Sequence, residues 1–154
     1  MALPLPQKIS IVIFDDVELL DVAGPVEIFS KVPGLAIEML SPTGLPVTSS
    51  QGVSFGADAD YGAISGDTLL IPGGQGTRQL VYDEAFLAAL KHTAENVETV
   101  MSVCTGSALL AAAGLLEGYA ATSNKRALDW ATSFGTDIEW QRSALWVHDR
   151  DRLT

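Results

Sequence analysis

Apolar residues in this chain fall into short runs separated by polar loops, and the runs alternate between two periods. Ile9-Ser10-Ile11-Val12-Ile13-Phe14 is nearly continuous, the pattern of a parallel strand buried on both faces. Asp15 to Leu20 predict a loop. Pro25 suits the first turn of a helix through Val26, Ile28 and Phe29, which Pro33-Gly34 ends. Ala36 to Leu40 predict a second strand, and residues 47–55 one or two short edge strands. Thr68 to Ile71 form a buried strand signal that stops at Pro72-Gly73-Gly74. Tyr82 to Glu95 carry helical spacing in Phe86, Leu87 and Leu90, with acids early at Asp83 and Glu84. Val97 to Val103 predict the next strand and Thr105 to Leu116 the helix behind it. A short strand at Ala120–Thr122 precedes a helix from about Lys125 to Ser133, and Ile138–Trp140 with Ala144–Val147 make a last pair of strands. Strand followed repeatedly by helix predicts an open, mainly parallel α/β sheet covered on both sides. No closing helix follows the last strand signal, so part of the sheet is expected to be uncovered or a piece to be missing.

Composition narrows the function classes. At 154 residues and 47% hydrophobic, residues 1–154 read as one domain with a sizeable core. No apolar run approaches the roughly 18 residues of a membrane span. MALPLPQK has no charged start leading into a long apolar stretch, so no signal peptide is expected. A single cysteine cannot form an internal disulfide, which fits a reducing cytoplasm. The formal net charge of −10 argues against direct nucleic-acid binding, which needs Lys and Arg on phosphates. With one cysteine and two histidines a Cys/His metal site is not expected, and no nucleotide-binding glycine motif implies a cofactor.

In an open α/β sheet, ligands collect at the carboxyl ends of the strands. Three loops there carry chemistry: Asp15, Asp16, Glu18 and Asp21 after the first strand, Gly73-Gly74-Gln75-Gly76 after Ile71, and Cys104 after Val103. Cys104 falls on a strand-to-helix turn with small followers, where a helix N-terminus would lower a thiol's pKa and make it a nucleophile. A free cysteine is equally often a small buried hydrophobe. The N–H groups of Gly74 and Thr105 can cradle a developing negative charge, although Gly-Gly more commonly makes a plain turn. Glu18 or Asp21 can serve the thiol as acid and base, while Asp21 alternatively caps the helix that follows. His92, His148 and the three tryptophans read as solvated or packing residues.

The segments IVIFDDVELLDVAGPVEIF, LLIPGGQGTRQL and SVCTGSALLAAAGLLEGYAAT, in that order, resemble the ThiJ/PfpI (class I glutamine-amidotransferase-like) superfamily. Leu20-Asp21-Val22-Ala23-Gly24-Pro25 and Cys104-Thr105-Gly106 are most similar to the group holding isocyanide hydratases and the sensor domains of AraC-type regulators. The resemblance implies a flavodoxin-like three-layer sandwich that here lacks its C-terminal helical closure, and a homodimer acting on a small molecule. It implies Cys104 as nucleophile, Asp21 as the carboxyl handling its proton, and Gly73, Gly74 and Thr105 at the oxyanion and substrate positions. Thr105, where peptidase-like members have histidine, speaks against proteolysis. Two functions follow as expectations: hydration of an isocyanide to a formamide, or aldehyde processing by the same pair, against a ligand- or redox-sensing role without turnover.

Overall fold

Seven strands form one sheet in the order β10-β11-β7-β6-β1-β2-β5, parallel throughout except for the β10–β11 pair. The computed structural model describes Ala2 and residues 5–154; Met1, Leu3 and Pro4, in the stretch read above as no leader, lie outside the described residues. The sheet strands are β1 (Lys8–Val12), β2 (Ala36–Ser41), β5 (Ala59–Asp60), β6 (Thr68–Ile71), β7 (Thr99–Ser102), β10 (His148–Asp149) and β11 (Arg152–Leu153). Two small two-stranded sheets add β3 (Val47–Thr48) with β4 (Ser54–Phe55), and β8 (Ala120–Ala121) with β9 (Glu139–Trp140). Among the described residues, five helices complete the α/β flavodoxin-like architecture: α1 (Leu19–Phe29), α2 (Thr77–Leu80), α3 (Glu84–Ala94), α4 (Gly106–Ala112) and α5 (Leu128–Ala131).

The central strands behave as their composition dictates. All four residues of β6 are buried, as are Ile9 to Val12 of β1. Buried Ser10 and Glu38 satisfy each other across the β1–β2 pair through a 2.6 Å hydrogen bond. Helix α3 begins where Asp83 accepts the Phe86 N–H (3.0 Å). Its Phe86 meets Phe14 and Tyr61 edge-on, with ring centroids 6.2 and 5.9 Å apart. Tyr61 anchors that cluster by donating to the Ile13 carbonyl (2.7 Å).

Several expectations need correcting. Helix α1 starts at Leu19, so Pro25 lies inside it and not in its first turn. Residues 47–55 pair with each other, off the main sheet, and the edge position beside β2 goes to β5. The expected helix 125–133 is a 3-10 turn at Lys125–Ala127 followed by one turn of α5. Ala144–Val147 is not a strand. The polar segments on either side of Arg150 instead form the β10–β11 hairpin, and β11 joins β7.

The strand order reverses at β1. From β1 the chain steps outward to β2 and β5, then returns to β6 and β7 on the other side. The carboxyl ends of β1, β6 and β7 thus lie beside this switch point, and the crevice outside such strand ends is where these sheets bind ligands.

Candidate active site

Backbone pairing clamps the first two loops together. Glu18 N–H donates to the Gly73 carbonyl (2.9 Å), Gly76 N–H to the Asp16 carbonyl (3.0 Å), and Val17 bridges Gly74. This close approach is what the glycines are for. A Cβ on Gly73 would lie 2.6 Å from the Thr105 nitrogen and 2.9 Å from the Cys104 Cβ; one on Gly74, whose φ is +126°, would lie 2.4 Å from the Glu18 nitrogen.

Cys104 lies two residues past the end of β7 and has φ +56°, a left-handed conformation that a non-glycine residue holds only when its surroundings enforce it. Val103 N–H is bound to the Ile71 carbonyl and Gly106 N–H to the Val103 carbonyl, both at 2.9 Å. The hydroxyls of Ser107 and Ser123 donate to the Cys104 carbonyl, each at 3.2 Å. The sharp turn lifts the half-buried thiol out of the sheet toward the crevice.

Asp21 does not cap α1. It is the third residue of the helix, buried, and its Oδ2 accepts the Gly73 N–H at 3.0 Å, because the β6 loop presses onto that side of the helix. The Cys104 thiol lies beside this carboxylate and favours its charged form. Burial pushes the Asp21 carboxyl above its ordinary value; the Gly73 N–H opposes that shift and the Glu18 charge adds to it.

The thiol moves the same way. Burial and the Asp21 charge push Cys104 up, against the Thr105 N–H, the Thr105 hydroxyl and the Asn124 side chain, which favour the thiolate. The lowered pKa expected from the helix start is therefore overturned: the Thr105 N–H just ahead of α4 favours the thiolate, but burial and the Asp21 charge outweigh it. Burial thus disfavours the charged form of both groups, with the Asp21 charge adding to the effect on the thiol and the Glu18 charge to that on the carboxyl.

The structure brings Cys104, Asp21, Gly73, Gly74 and Thr105 into one site, but assigns their N–H groups more narrowly than the sequence did. Gly73 N–H is held by Asp21, and Gly74 N–H donates to Thr105 Oγ1 (3.1 Å). The donors that face the sulfur are the N–H and hydroxyl of Thr105 and the amide of Asn124. Asn124 went unnoticed in the sequence; its Oδ1 accepts the Arg126 N–H (2.9 Å), which leaves the amide nitrogen for the thiol. Ser102 was also missed: its Oγ is buried without a hydrogen-bond partner among the described residues, and the residue lines the main cleft.

That cleft has a volume of about 830 Å³ and runs from Cys104 and Asp21 to Lys125, Leu145 and Trp146. Glu18 stands at its edge with both carboxylate oxygens 3.1 Å from Gln51 Nε2. His92 and His148 are exposed and outside it, as expected. Among the described residues no group of three or more His, Cys, Asp or Glu is placed to hold a metal ion, and no helix is long and apolar enough to cross a membrane.

A cysteine-bearing turn at a strand end, opposed by a carboxyl from the first helix of a flavodoxin-like sheet, defines a class of α/β proteins. The family model for DJ-1/PfpI matches residues 7–143, and the chain belongs to that family. It is 34% identical over 118 residues to an isonitrile hydratase of Pseudomonas putida, which covers 76% of this chain and 52% of the hydratase. It is 39% identical over 124 residues to a Streptomyces lividans protein described as uncharacterized in the cpoL 5' region, covering 77% of this chain and 88% of that one. A crystal structure of a ThiJ/PfpI family protein from Pseudomonas syringae superposes with a TM-score of 0.85 at 32% identity, over 96% of this chain and 61% of the other. The chain thus spans about half the length of the hydratase and three fifths of that solved structure.

Proposed function

We propose that the protein is a cysteine-dependent enzyme that hydrates a small isocyanide to an N-substituted formamide, with Cys104 as nucleophile and Asp21 as its acid and base. The observation that carries this reading is the placement of Cys104, on a left-handed turn, and Asp21 side by side in one open cleft. The likeness to isonitrile hydratase supports it.

The sulfur attacks the isocyanide carbon while its proton passes to Asp21, forming the C–S bond. Asp21 then delivers that proton to the same carbon, giving a thioimidate. Charge that gathers during attack meets the N–H and hydroxyl of Thr105 and the Asn124 amide. Asp21, again a carboxylate, takes a proton from water as the oxygen adds to the thioimidate carbon. Asp21 passes that proton to the adduct's nitrogen, and collapse then breaks the C–S bond as the adduct's hydroxyl proton goes to the departing sulfur, which releases the formamide and restores the thiol. A carboxyl raised above its ordinary value suits both halves, since it accepts and returns a proton at little cost.

Hydration of an aryl isocyanide, followed by the absorbance of its formamide, tests this. The wild type is expected to turn over and Cys104→Ala to lose turnover. A folded wild type that leaves isocyanides untouched ends the hydratase reading.

A further inference from the structure

Acidic residues outnumber basic ones 19 to 9, so a basic side chain without an acidic neighbour stands out. Lys8, Lys31, Arg142, Arg150 and Arg152 each pair with a carboxylate. Among the described residues the remaining four of the nine, Arg78, Lys91, Lys125 and Arg126, do not, and three of these line the two clefts that meet at Cys104. Lys125 is engaged by Thr122 Oγ1 (2.6 Å) and the Ser123 carbonyl (3.1 Å). Arg78 and Arg126 share the smaller cleft, about 200 Å³, with Cys104, Thr105 and Asn124.

Both arginines are tied to the site. The Arg78 guanidinium lies over Trp130, its central carbon 3.8 Å from the ring centroid. Stacking of this kind fixes the fork and leaves its in-plane N–H donors free. The Arg126 backbone N–H holds the Asn124 amide whose other end faces the sulfur. Glu18 also lines this cleft, but Gln51 engages both its oxygens.

We propose that the Arg78–Arg126 cleft is an anion subsite that seats a carboxylate carried by the substrate while Cys104 meets the electrophilic carbon. The substrate class is then a small electrophile bearing a carboxylate. Two guanidinium forks match a planar carboxylate, and the Glu18 charge on the same cleft disfavours a dianion such as phosphate. This inference rests on Cys104 being the reacting group.

The protein's only cysteine makes the test direct. Iodoacetate and iodoacetamide have nearly the same shape and differ in charge, so the ratio of their alkylation rates at Cys104 reads the field of the cleft. The subsite is expected to favour iodoacetate in the wild type. The ratio is expected to fall about fivefold in Arg78→Gln and in Arg126→Gln, and to decline with added salt. Exposed Arg126 keeps the test valid if Arg78→Gln unsettles Trp130. A ratio equal in wild type and both variants overturns the proposal.

A second arm separates it from the nucleophile reading. If Cys104 resists both reagents, that reading fails, and calorimetric binding of phenylacetate against phenylacetamide decides the subsite alone. Preference for phenylacetate that is lost in Arg126→Gln supports it, and equal binding of the two compounds overturns it.

Discussion

Cys104 and Asp21 are each held where an isolated residue would not sit. The left-handed backbone at Cys104 costs about 1–2 kcal/mol and is retained because four hydrogen bonds around the turn enforce it. Asp21 is a carboxyl whose charged form is disfavoured by burial and by the Glu18 charge. Its folded pKa lies above the unfolded value of 3.8, so its charge is stability-neutral below 3.8, costs progressively more as pH rises through the folded pKa, and costs most above it. Asp21→Asn keeps an acceptor for the Gly73 N–H and removes that charge. It is expected to raise the melting temperature at pH 7, with the gain shrinking toward pH 4, while slowing isocyanide turnover about 10²–10⁴-fold. Melts at both pH values alongside turnover check this; a variant less stable than wild type at pH 7 would show that Asp21 is structural. The residues legible beforehand were those with a local signature: cysteine or paired glycines at the end of an apolar run, and an acid in the acidic stretch that follows the first strand. Asn124 and Ser102 carry none. One is a polar residue in an irregular loop and the other a small strand residue, and only the fold brings Asn124 to the sulfur and Ser102 to the cleft.

Among the elements, the β1–β2 pair carries a buried charge cluster on the strands themselves. Burial would push Glu38 up, but the Ser10 hydroxyl, the Ser65 N–H, Lys8 and the Ser65 hydroxyl outweigh it and bring the carboxyl down to about 2. The folded value is below the ordinary 4.5, so the stabilisation is fully present above pH 4.5 and is lost as pH falls toward 2. By linkage this amounts to about 3 kcal/mol. Glu38→Gln is therefore expected to lower stability by about 2–3 kcal/mol at pH 7 in denaturant titrations, with the deficit narrowing between pH 4.5 and 2. A deficit that does not depend on pH would place the effect in packing. The strands with dense apolar runs, β1, β2, β6 and β7, are read correctly from sequence. Helix α1 starts early because Leu19 N–H is met by Gln51 Oε1 (3.0 Å) from a distant turn, a signal no local window contains. The C-terminal hairpin was misplaced because its strands, His148-Asp149 and Arg152-Leu153, are mostly polar. The apolar Leu145 and Trp146 beside it are 89% and 66% exposed, at the rim of the cleft.

At the scale of the whole molecule, the apolar surface left uncovered is not scattered. Only Asp21 and Val22 of the eleven residues of α1 are buried, although the helix reads LLDVAGPVEIF, and Leu20 and Ile28 are 71% and 68% exposed. A helix this apolar normally faces a partner. Leu20 lines the main cleft together with Leu145 and Trp146, so a second copy against α1 would also wall the site. This agrees with the homodimer implied by the family resemblance, and we expect the chain to dimerise through α1. Each copy carries a formal charge of −10, so two copies repel at low ionic strength while an apolar contact is little affected by salt. Sedimentation across the micromolar range should thus show a dimer whose population rises as salt screens that repulsion. Ile28→Glu adds a charge at an exposed position outside the cleft, where a monomer would lose at most about 0.5 kcal/mol. It is expected to shift the population to monomer with its melting transition retained. A wild type that sediments only as monomer removes the dimer, and a dimer unaffected by Ile28→Glu moves the contact away from α1.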